Sequence, residues 1–317
     1  MSQTLILTHA DIDGMVSGIL LLTKLGPDTK VKITSASKLA EAIYKETADL
    51  EAISNVYIAD LPLDRACVEE VYSALEMLTK KGALLHLYDH HIGWNEPTNS
   101  LRFRPLFQIY NVNEKKTTAA VLIWYNFLTR DLNCQRWLEL ISKKDNSPDE
   151  SVSDDFRLLA ALMQPKYARR KSEIMHCLAT GMNIEDRKEI VDWYVNEHLQ
   201  QERQLAENVE VFQTQLGQRI GWLDLRDEAG LYSNISKLVV EYHSVDLMAS
   251  VIHSGVVLGG PSIDRGIDLS FLHGFHSFEG ITLEVVGHKS PVRFRPVDGK
   301  ITSEFVHAVK NLIIEKI

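Results

Sequence analysis

Residues 4–14 have the sequence TLILTHADIDG, and this stretch decides the fold. Its apolar first half predicts a buried strand, and the spacing of apolar residues over 14–25 predicts a helix directly after it. Further strands are predicted over 31–34, 55–59 and 83–88, with helices over 39–50 and 64–80 between them. Strands that alternate with helices indicate βαβ units. The sequence therefore predicts an α/β domain with a mostly parallel sheet.

The remainder of the chain divides into two parts. Helices are predicted over 117–128, with Thr117 or Thr118 as its N-cap, and over 137–143, 156–163 and 184–215. Strands are then predicted over 219–225, 239–242, 247–253 and 282–286, before a last helix over 303–315. We therefore expect a first domain over 1–183, a connecting helix over 184–215 and a smaller α/β domain over 216–317.

Composition restricts the classes of function. The 317 residues carry a formal net charge of −9, which argues against a protein that binds long duplex DNA through its phosphates. The three cysteines (Cys67, Cys134 and Cys177) are far apart and indicate reduced thiols rather than disulfides. The sequence has neither a signal peptide nor a membrane span, so we expect a cytoplasmic protein without membrane association.

Acidic and histidine side chains follow three of the predicted strands. They are His9, Asp11 and Asp13 after the first strand, Asp60 after the third, and Asp89, His90 and His91 after the fourth. The carboxyl ends of parallel strands share one edge, where ligands of open α/β sheets collect. An extended backbone would place His9, Asp11 and Asp13 on one side. A helix cap would explain one of the aspartates after the first strand, or Asp60 alone, but not the whole set.

The clustered carboxylates predict a metal centre. Four of them in one cleft would repel one another unless divalent cations were bound. Mixed carboxylate and imidazole ligation suits manganese, zinc or iron, and carboxylate-rich sites also accept magnesium. Two cations roughly 3.5–4 Å apart would suit an in-line displacement at phosphorus.

The order HxDxDG, strand-ending Asp and DHH resembles the DHH phosphoesterase superfamily. That superfamily includes RecJ-type exonucleases, nanoRNases, cyclic-dinucleotide phosphodiesterases, family II pyrophosphatases and some exopolyphosphatases. The resemblance covers about residues 1–150. It implies a DHH domain at the N-terminus and two divalent metal ions, of which Mn²⁺ is expected first and Mg²⁺ or Co²⁺ are alternatives.

The resemblance also implies a role for each matching residue. His9 and Asp11 would hold one metal, His90 and Asp13 the other, and Asp60 would bridge them. Asp145 is the best match to a further ligand of the second metal, and Asp149, Asp154 and Asp155 lie near it in the sequence and could take that role instead. Asp89 would act as a ligand or as an anchor of the site. His91 would contact the scissile phosphate, and a metal-activated hydroxide would be the nucleophile.

The C-terminal part resembles the DHHA1 domain of two-domain relatives less closely. The family motif GGGHxxAxG corresponds to residues 286–293, VGHKSPVR, where only Gly287 and His288 match well. Without the run of glycines, a backbone phosphate cradle would be weak. We therefore expect His288 to bind substrate, and one or more of four cationic side chains to bind phosphate in place of the cradle: Arg265, Lys289, Arg293 or Arg295.

These features predict a phosphodiesterase that acts on short single-stranded oligonucleotides or small phosphorylated nucleotides. A phosphoanhydride hydrolase of the exopolyphosphatase or pyrophosphatase type is the alternative, although a pyrophosphatase would be expected to have HxxxDxD where this chain has HxDxD. A non-catalytic nucleotide-binding protein is a third hypothesis, and a homodimer is left open.

Overall fold

The computed structural model describes residues 3–48, 53–113, 117–129, 131–142, 153–228, 235–259, 269–287 and 292–317. The chain forms two compact units, Met1–Tyr194 and Val195–Ile317. Both units combine helices with a sheet, as the sequence predicted.

The N-terminal unit is built on a five-stranded parallel sheet of order β2-β1-β3-β4-β5. Its strands are β1 (Gln3–Thr8), β2 (Lys30–Ile33), β3 (Ile53–Ala59), β4 (Leu84–Asp89) and β5 (Phe107–Val112). The first four confirm the predicted strands, and β5 was not predicted. Because all strands are parallel, β1, β3 and β4 end at the same edge of the sheet, immediately before the three predicted motifs.

Ten α-helices of the N-terminal unit are described. They are α1 (Ile12–Leu25), α2 (Leu39–Ala48), α3 (Val68–Lys80), α4 (Ile92–Asn95), α5 (Pro97–Phe103), α6 (Ala119–Phe127), α7 (Leu132–Ser142), α8 (Asp154–Met163), α9 (Lys171–Thr180) and α10 (Arg187–Trp193). Thr118 is the N-cap of α6, where its hydroxyl accepts a hydrogen bond from the Val121 amide. That cap is one of the two that the sequence predicted.

The sheet of the N-terminal unit is buried on both faces. Leu5, Ile6 and Leu7 are fully buried in succession along β1, so neighbouring residues on opposite faces both lie in the core. This explains why the strand is a continuous apolar run rather than an alternating one. On one face, Leu5 and Leu7 pack in a core cluster with Trp94, whose side chain is completely buried.

The segment 184–215 is not one regular helix to its end. Helix α10 ends at Trp193, a π-helical turn spans Tyr194–His198, and a separate helix, α11, spans Leu199–Glu207. Residues Glu210–Gln213 form strand β6. The prediction extended the helix too far because this segment contains no glycine or proline between the helix and the strand, although Val211 and Phe212 favour a strand.

The C-terminal unit contains a seven-stranded sheet of order β10-β11-β12-β9-β8-β7-β6. After β6, its strands are β7 (Arg219–Asp224), β8 (Leu247–Ile252), β9 (Gly255–Gly259), β10 (Ser277–Phe278), β11 (Ile281–Gly287) and β12 (Val292–Pro296). Only β7 and β8 pair in parallel among the strands that the structure describes in this sheet. The unit also contains the α-helices α12 (Ile235–His243) and α13 (Ser303–Lys316).

One strand prediction in this unit was wrong. Residues 239–242 belong to α12, not to a strand. The β-branched pair Val239-Val240 suggested extended structure, but the buried residues Ile235, Leu238 and Val239 have helical spacing. Across the part of the chain that the structure describes, no helix has the length and apolar character needed to cross a membrane.

Trp94 connects the core to the loop after β3, and its loss should be measurable. The indole Nε1 donates a 2.7 Å hydrogen bond to the Leu61 carbonyl oxygen. Trp94→Phe retains an aromatic ring but leaves that carbonyl unpaired, so we expect about 1–3 kcal/mol of destabilisation in urea denaturation. Tyr125→Phe is the control, because the Tyr125 side chain is exposed and should tolerate the change. Equal stability of the two variants would contradict the structural role of the indole.

Candidate metal centre

The first motif forms a tight turn between β1 and α1. The Thr8 hydroxyl donates a 2.6 Å hydrogen bond to the Gly14 carbonyl oxygen, and Asp11 caps α1 by accepting one from the Gly14 amide at 2.9 Å. A Cβ atom at residue 14 would lie 2.5 Å from the His9 carbonyl oxygen, so only glycine fits there. The second carboxylate oxygen of Asp11 lies 3.2 Å from His9 Nδ1. Capping therefore uses one Asp11 oxygen and leaves the other beside the histidine.

Asp13 is not part of an extended backbone, as the sequence suggested, because α1 already begins at Ile12. Its buried carboxylate accepts hydrogen bonds from the Ala119 and Ala120 amides at 3.1 and 3.2 Å. These amides are at the N-terminus of α6, where unpaired N–H groups favour an anion. Burial nevertheless raises the pKa of Asp13, against the lowering effect of these amides and of His90.

Asp60 lies at the centre of the site and has an unusual backbone. Its φ of 55° is in the left-handed region, which aspartate adopts at a cost. Asp60 does not begin the helix that follows, since α3 starts at Val68. Its side chain instead lies with Oδ1 3.1 Å from His90 Nε2, and that histidine nitrogen is 3.6 Å from Asp13 Oδ2.

The electrostatics of Asp60 are those of a buried acid among other acids. Burial raises its pKa well above the ordinary aspartate value, and Asp13 and Asp11 raise it further. Its Oδ2 atom is buried without a hydrogen-bond partner among the residues that the structure describes. Such an oxygen is costly unless a proton or a cation neutralises it.

Asp89 fixes the position of His91. One oxygen of this fully buried carboxylate accepts hydrogen bonds from the His91 amide at 2.7 Å and from His91 Nδ1 at 2.8 Å. An ionised carboxylate only accepts, so the proton lies on Nδ1 and Nε2 is directed away from Asp89. Burial lowers the pKa of His91, but the hydrogen bond to Asp89 and the charges of Asp89, Asp11 and Asp13 raise it more, with a net upward shift.

Two groups of side chains in this site could each hold a cation. His9, Asp11 and Asp60 form one group, and Asp60, His90 and His91 form the other, each with ligand atoms within 4.8 Å of one another. Asp60 belongs to both groups, which is the arrangement expected for a carboxylate between two metal ions. Its partnerless oxygen and the mixed carboxylate and imidazole donors fit divalent cations of the manganese type.

The structure brings together all seven residues of the three motifs. His91, which the family pattern assigns to substrate, also lies close enough to Asp60 and His90 to complete a ligand group. Five residues that the sequence predicted as metal ligands or substrate-binding residues lie outside the described part of the chain. They are Asp145, Asp149, Arg265, His288 and Lys289.

Asp154 and Asp155, which could replace Asp145 as the further ligand, are both described. Each forms an ion pair with an arginine, Asp154 with Arg157 and Asp155 with Arg187. Their carboxylates are therefore already matched by positive charge, which disfavours them as the further ligand and leaves Asp145 and Asp149 as predictions.

Arg293 and Arg295 lie two residues apart on β12 of the C-terminal unit. Arg293 is partly buried, and burial lowers its pKa, as does the neighbouring charge of Arg295. A partly buried guanidinium beside a second one favours an anion, so both stay predicted phosphate-binding residues.

The contact between Asp13 and the start of α6 was not predicted, although the Thr118 cap had indicated where that helix begins.

Comparison with known proteins gives the fold but no close relative. No protein-family model and no curated protein matches the sequence. Among solved structures, the chain is similar to the DHH domain of a protein described as a member of a family of ribosomal proteins (TM-score 0.59, 15% identity, 100% of this chain and 88% of that chain). It is also similar to exonuclease RecJ bound to manganese (TM-score 0.58, 14% identity, 98% and 89% of the chains).

A third similar structure is a pGpG-specific phosphodiesterase from Vibrio cholerae (TM-score 0.51, 15% identity, 98% and 97% of the chains). The chain therefore has the fold of these proteins, one of which is described as a DHH domain, and a fold of this kind was predicted from the sequence motifs. At these identities the similarity concerns the fold, and the chemistry must be inferred from the residues of the site.

Gly14→Ala tests the turn that positions His9 and Asp11. The new Cβ would push against the His9 backbone, so we expect Mn²⁺ affinity to fall by roughly tenfold to a hundredfold, as for other residues that orient metal ligands. Gly18→Ala, in the same helix, is the control. Its Cβ would meet the flexible end of Met175, which can move. Isothermal titration calorimetry measures both variants, and equal affinities would contradict the role of this turn.

Cation binding should release protons from the site. Because burial and the neighbouring carboxylates raise the pKa of Asp60, the ionised form that binds a cation is lost at a higher pH than for an ordinary aspartate. Mn²⁺ affinity should therefore fall as the pH is lowered. Calorimetry in buffers with different ionisation enthalpies counts the protons released, and Asp60→Asn should release fewer. A binding enthalpy that does not depend on the buffer at any pH would refute this prediction.

Proposed function

We propose that the protein is a divalent-metal-dependent phosphoesterase that hydrolyses phosphodiester bonds of short oligonucleotides or small nucleotides. The observation that carries this proposal is the pair of ligand groups that share the buried Asp60. Two cations held in this way would lower the pKa of a water molecule and neutralise charge on a phosphate. The acids and imidazoles that follow three adjacent parallel strands supply the metal ligands, and the resemblance of their motifs to the DHH phosphoesterases favours phosphorus as the target.

Each residue of the site then has a defined task. His9 and Asp11 would hold one cation, and His90, with Asp13 and Asp145, the other, while Asp60 would contact both. The hydrogen bonds from the α6 amides would hold the Asp13 carboxylate in position while it binds the cation. Mn²⁺ is the proposed ion because the donors suit it, and a RecJ structure of the same fold is described as bound to manganese.

Asp89 and His91 would act on the substrate side of the site. Asp89 holds the Nδ1 proton of His91, so Nε2 is the atom that meets the scissile phosphate. When the imidazole is protonated, Nε2 can donate a hydrogen bond to a phosphate oxygen, and the Asp89 carboxylate on Nδ1 favours that form. Asp89 thus orients the imidazole and stabilises its positive charge.

The proposed substrates are small and single-stranded. The net charge of −9 opposes binding to a long duplex, whereas a metal centre needs to attract only one phosphate. The similar structures include a phosphodiesterase described as specific for pGpG and the exonuclease RecJ. A panel of dinucleotide, 3′-phosphoadenosine 5′-phosphate, cyclic dinucleotide and polyphosphate would identify the preferred class. Phosphate release from polyphosphate alone would favour the phosphoanhydride alternative.

Asp60→Asn tests the proposal at its central residue. The variant loses the carboxylate that both ligand groups share, so Mn²⁺-dependent hydrolysis of a dinucleotide should fall on the order of a hundredfold or more. Asp28→Asn, on an exposed turn after α1, removes the same charge outside the site and should keep full activity.

Two outcomes would reject the enzymatic proposal. One is a wild-type protein that binds Mn²⁺ but hydrolyses no phosphate ester or anhydride of the panel, which would favour a nucleotide-binding protein. The other is equal activity of the Asp60 and Asp28 variants, which would show that the measured hydrolysis arises elsewhere.

A further inference from the structure

Lys171, the first residue of α9, is a cation near the candidate metal centre that none of the sequence motifs includes. We propose that Lys171 binds a phosphate group of the substrate on the side of the centre formed by His9 and Asp11. This inference rests on the proposed function, because it assigns a phosphate-binding residue to the same site.

The packing of α9 against α1 places Lys171 beside the site. The Met175 side chain lies against Gly18, and the Thr23 hydroxyl donates a 3.5 Å hydrogen bond to the Ala179 carbonyl oxygen. The two helices therefore run in the same direction, with their first residues at the same end. Lys171 precedes Met175 by four residues, so it lies one turn earlier on the same face, level with the start of α1.

Contacts with β2 lead independently to the same position. The Ser172 hydroxyl donates a 3.3 Å hydrogen bond to the Val31 carbonyl oxygen, and His176 Nε2 lies 3.0 Å from the Thr29 carbonyl oxygen. Helix α9 thus runs opposite to β2 and begins toward its carboxyl end. That end belongs to the edge of the sheet where the metal-binding motifs lie.

The electrostatic surroundings of Lys171 favour an anionic ligand. Burial lowers the pKa of the partly buried Lys171, and the charge of Asp11 opposes this shift, which shows that the two groups interact. Among the described residues, Lys171 has no ion pair or hydrogen bond at its ammonium group. Once a cation neutralised Asp11, the partly buried ammonium would lack an anion, and a phosphate that reaches the metal centre would supply one.

The neighbouring arginines differ from Lys171. Arg170 is bound by Glu173 and by Asp186, so its charge is already neutralised. Arg169 is exposed to solvent. Of Arg169, Arg170 and Lys171, only Lys171 is partly buried and not neutralised by an ion pair with a described acidic side chain. Its ammonium can bind phosphate as a compact point charge.

Equilibrium binding of 5′-AMP with Mn²⁺ present tests this assignment without turnover. We expect Lys171→Met to weaken 5′-AMP binding about tenfold or more, the effect of losing one charge-assisted hydrogen bond. The KM for a 5′-phosphorylated dinucleotide should rise to a similar degree, with a smaller change in kcat. Lys171→Arg should keep the Kd within about threefold, because it retains a cation that binds phosphate. Arg169→Met removes an exposed charge nearby and should leave the Kd unchanged.

The controls separate the roles that Lys171 could have. Calorimetry should give an Mn²⁺ affinity for Lys171→Met that is equal to or higher than that of wild type, because the lost charge opposed a cation beside Asp11, and circular dichroism should show both folded. An unchanged 5′-AMP Kd in folded Lys171→Met would overturn the assignment. So would a tighter Mn²⁺ Kd with unchanged 5′-AMP binding, because Lys171 would then only offset the charge of Asp11.

The same experiments distinguish this inference from the proposed function. If the wild type hydrolyses no phosphate ester but binds 5′-AMP in a Lys171-dependent way, the enzymatic proposal fails and the phosphate-binding assignment stands. If the wild type hydrolyses the dinucleotide and Lys171→Met binds 5′-AMP normally, only the assignment of Lys171 fails.

Discussion

The repulsion among the carboxylates around Asp60 is the constraint on which this structure depends. Asp13, Asp60 and Asp89 are buried, and Asp11 adds a fourth carboxylate beside them. The raised pKa values of Asp13 and Asp60 show that the fold holds these acids where ionisation is unfavourable. The packed core of the parallel sheet must offset this cost, and bound cations would turn the repulsion into attraction. The arrangement is therefore hard to explain as a device for stability alone.

Each carboxylate is also held in place before any cation arrives. Asp11 is fixed by the Gly14 amide, Asp13 by the start of α6, and Asp89 by His91. Asp60 is held through its strained backbone, and its amide donates a 3.1 Å hydrogen bond to the Tyr88 carbonyl oxygen on the neighbouring strand. A site with fixed ligands needs little reorganisation when it binds a metal, and its preferred geometry selects among ions.

The sequence predicted the location of the site better than its internal geometry. The apolar runs before His9, Asp60 and Asp89 were enough to place their strands, and parallel pairing then brings the strand ends together. Contacts between distant segments could not be read from local patterns. The bonds from α6 to Asp13 and the left-handed backbone of Asp60 depend on tertiary packing. In the C-terminal unit, the β-branched pair in α12 misled because local propensity is weaker than the spacing of buried residues.

Charge balance explains why a metal centre of this kind needs a further cation. Four ionised carboxylates carry a charge of −4, and two divalent cations carry +4, so the loaded centre would have no net charge and would attract an anion only through the open positions of its cations. A phosphodiester is itself an anion, and Asp145, if it is a ligand, would make the balance more negative. The ammonium of Lys171 carries a positive charge close to Asp11 and would favour a phosphate beside the loaded centre. Because the sequence largely lacks the glycine-rich motif of the proteins it resembles, we expect phosphate binding here to rest more on such side-chain charges than on backbone amides.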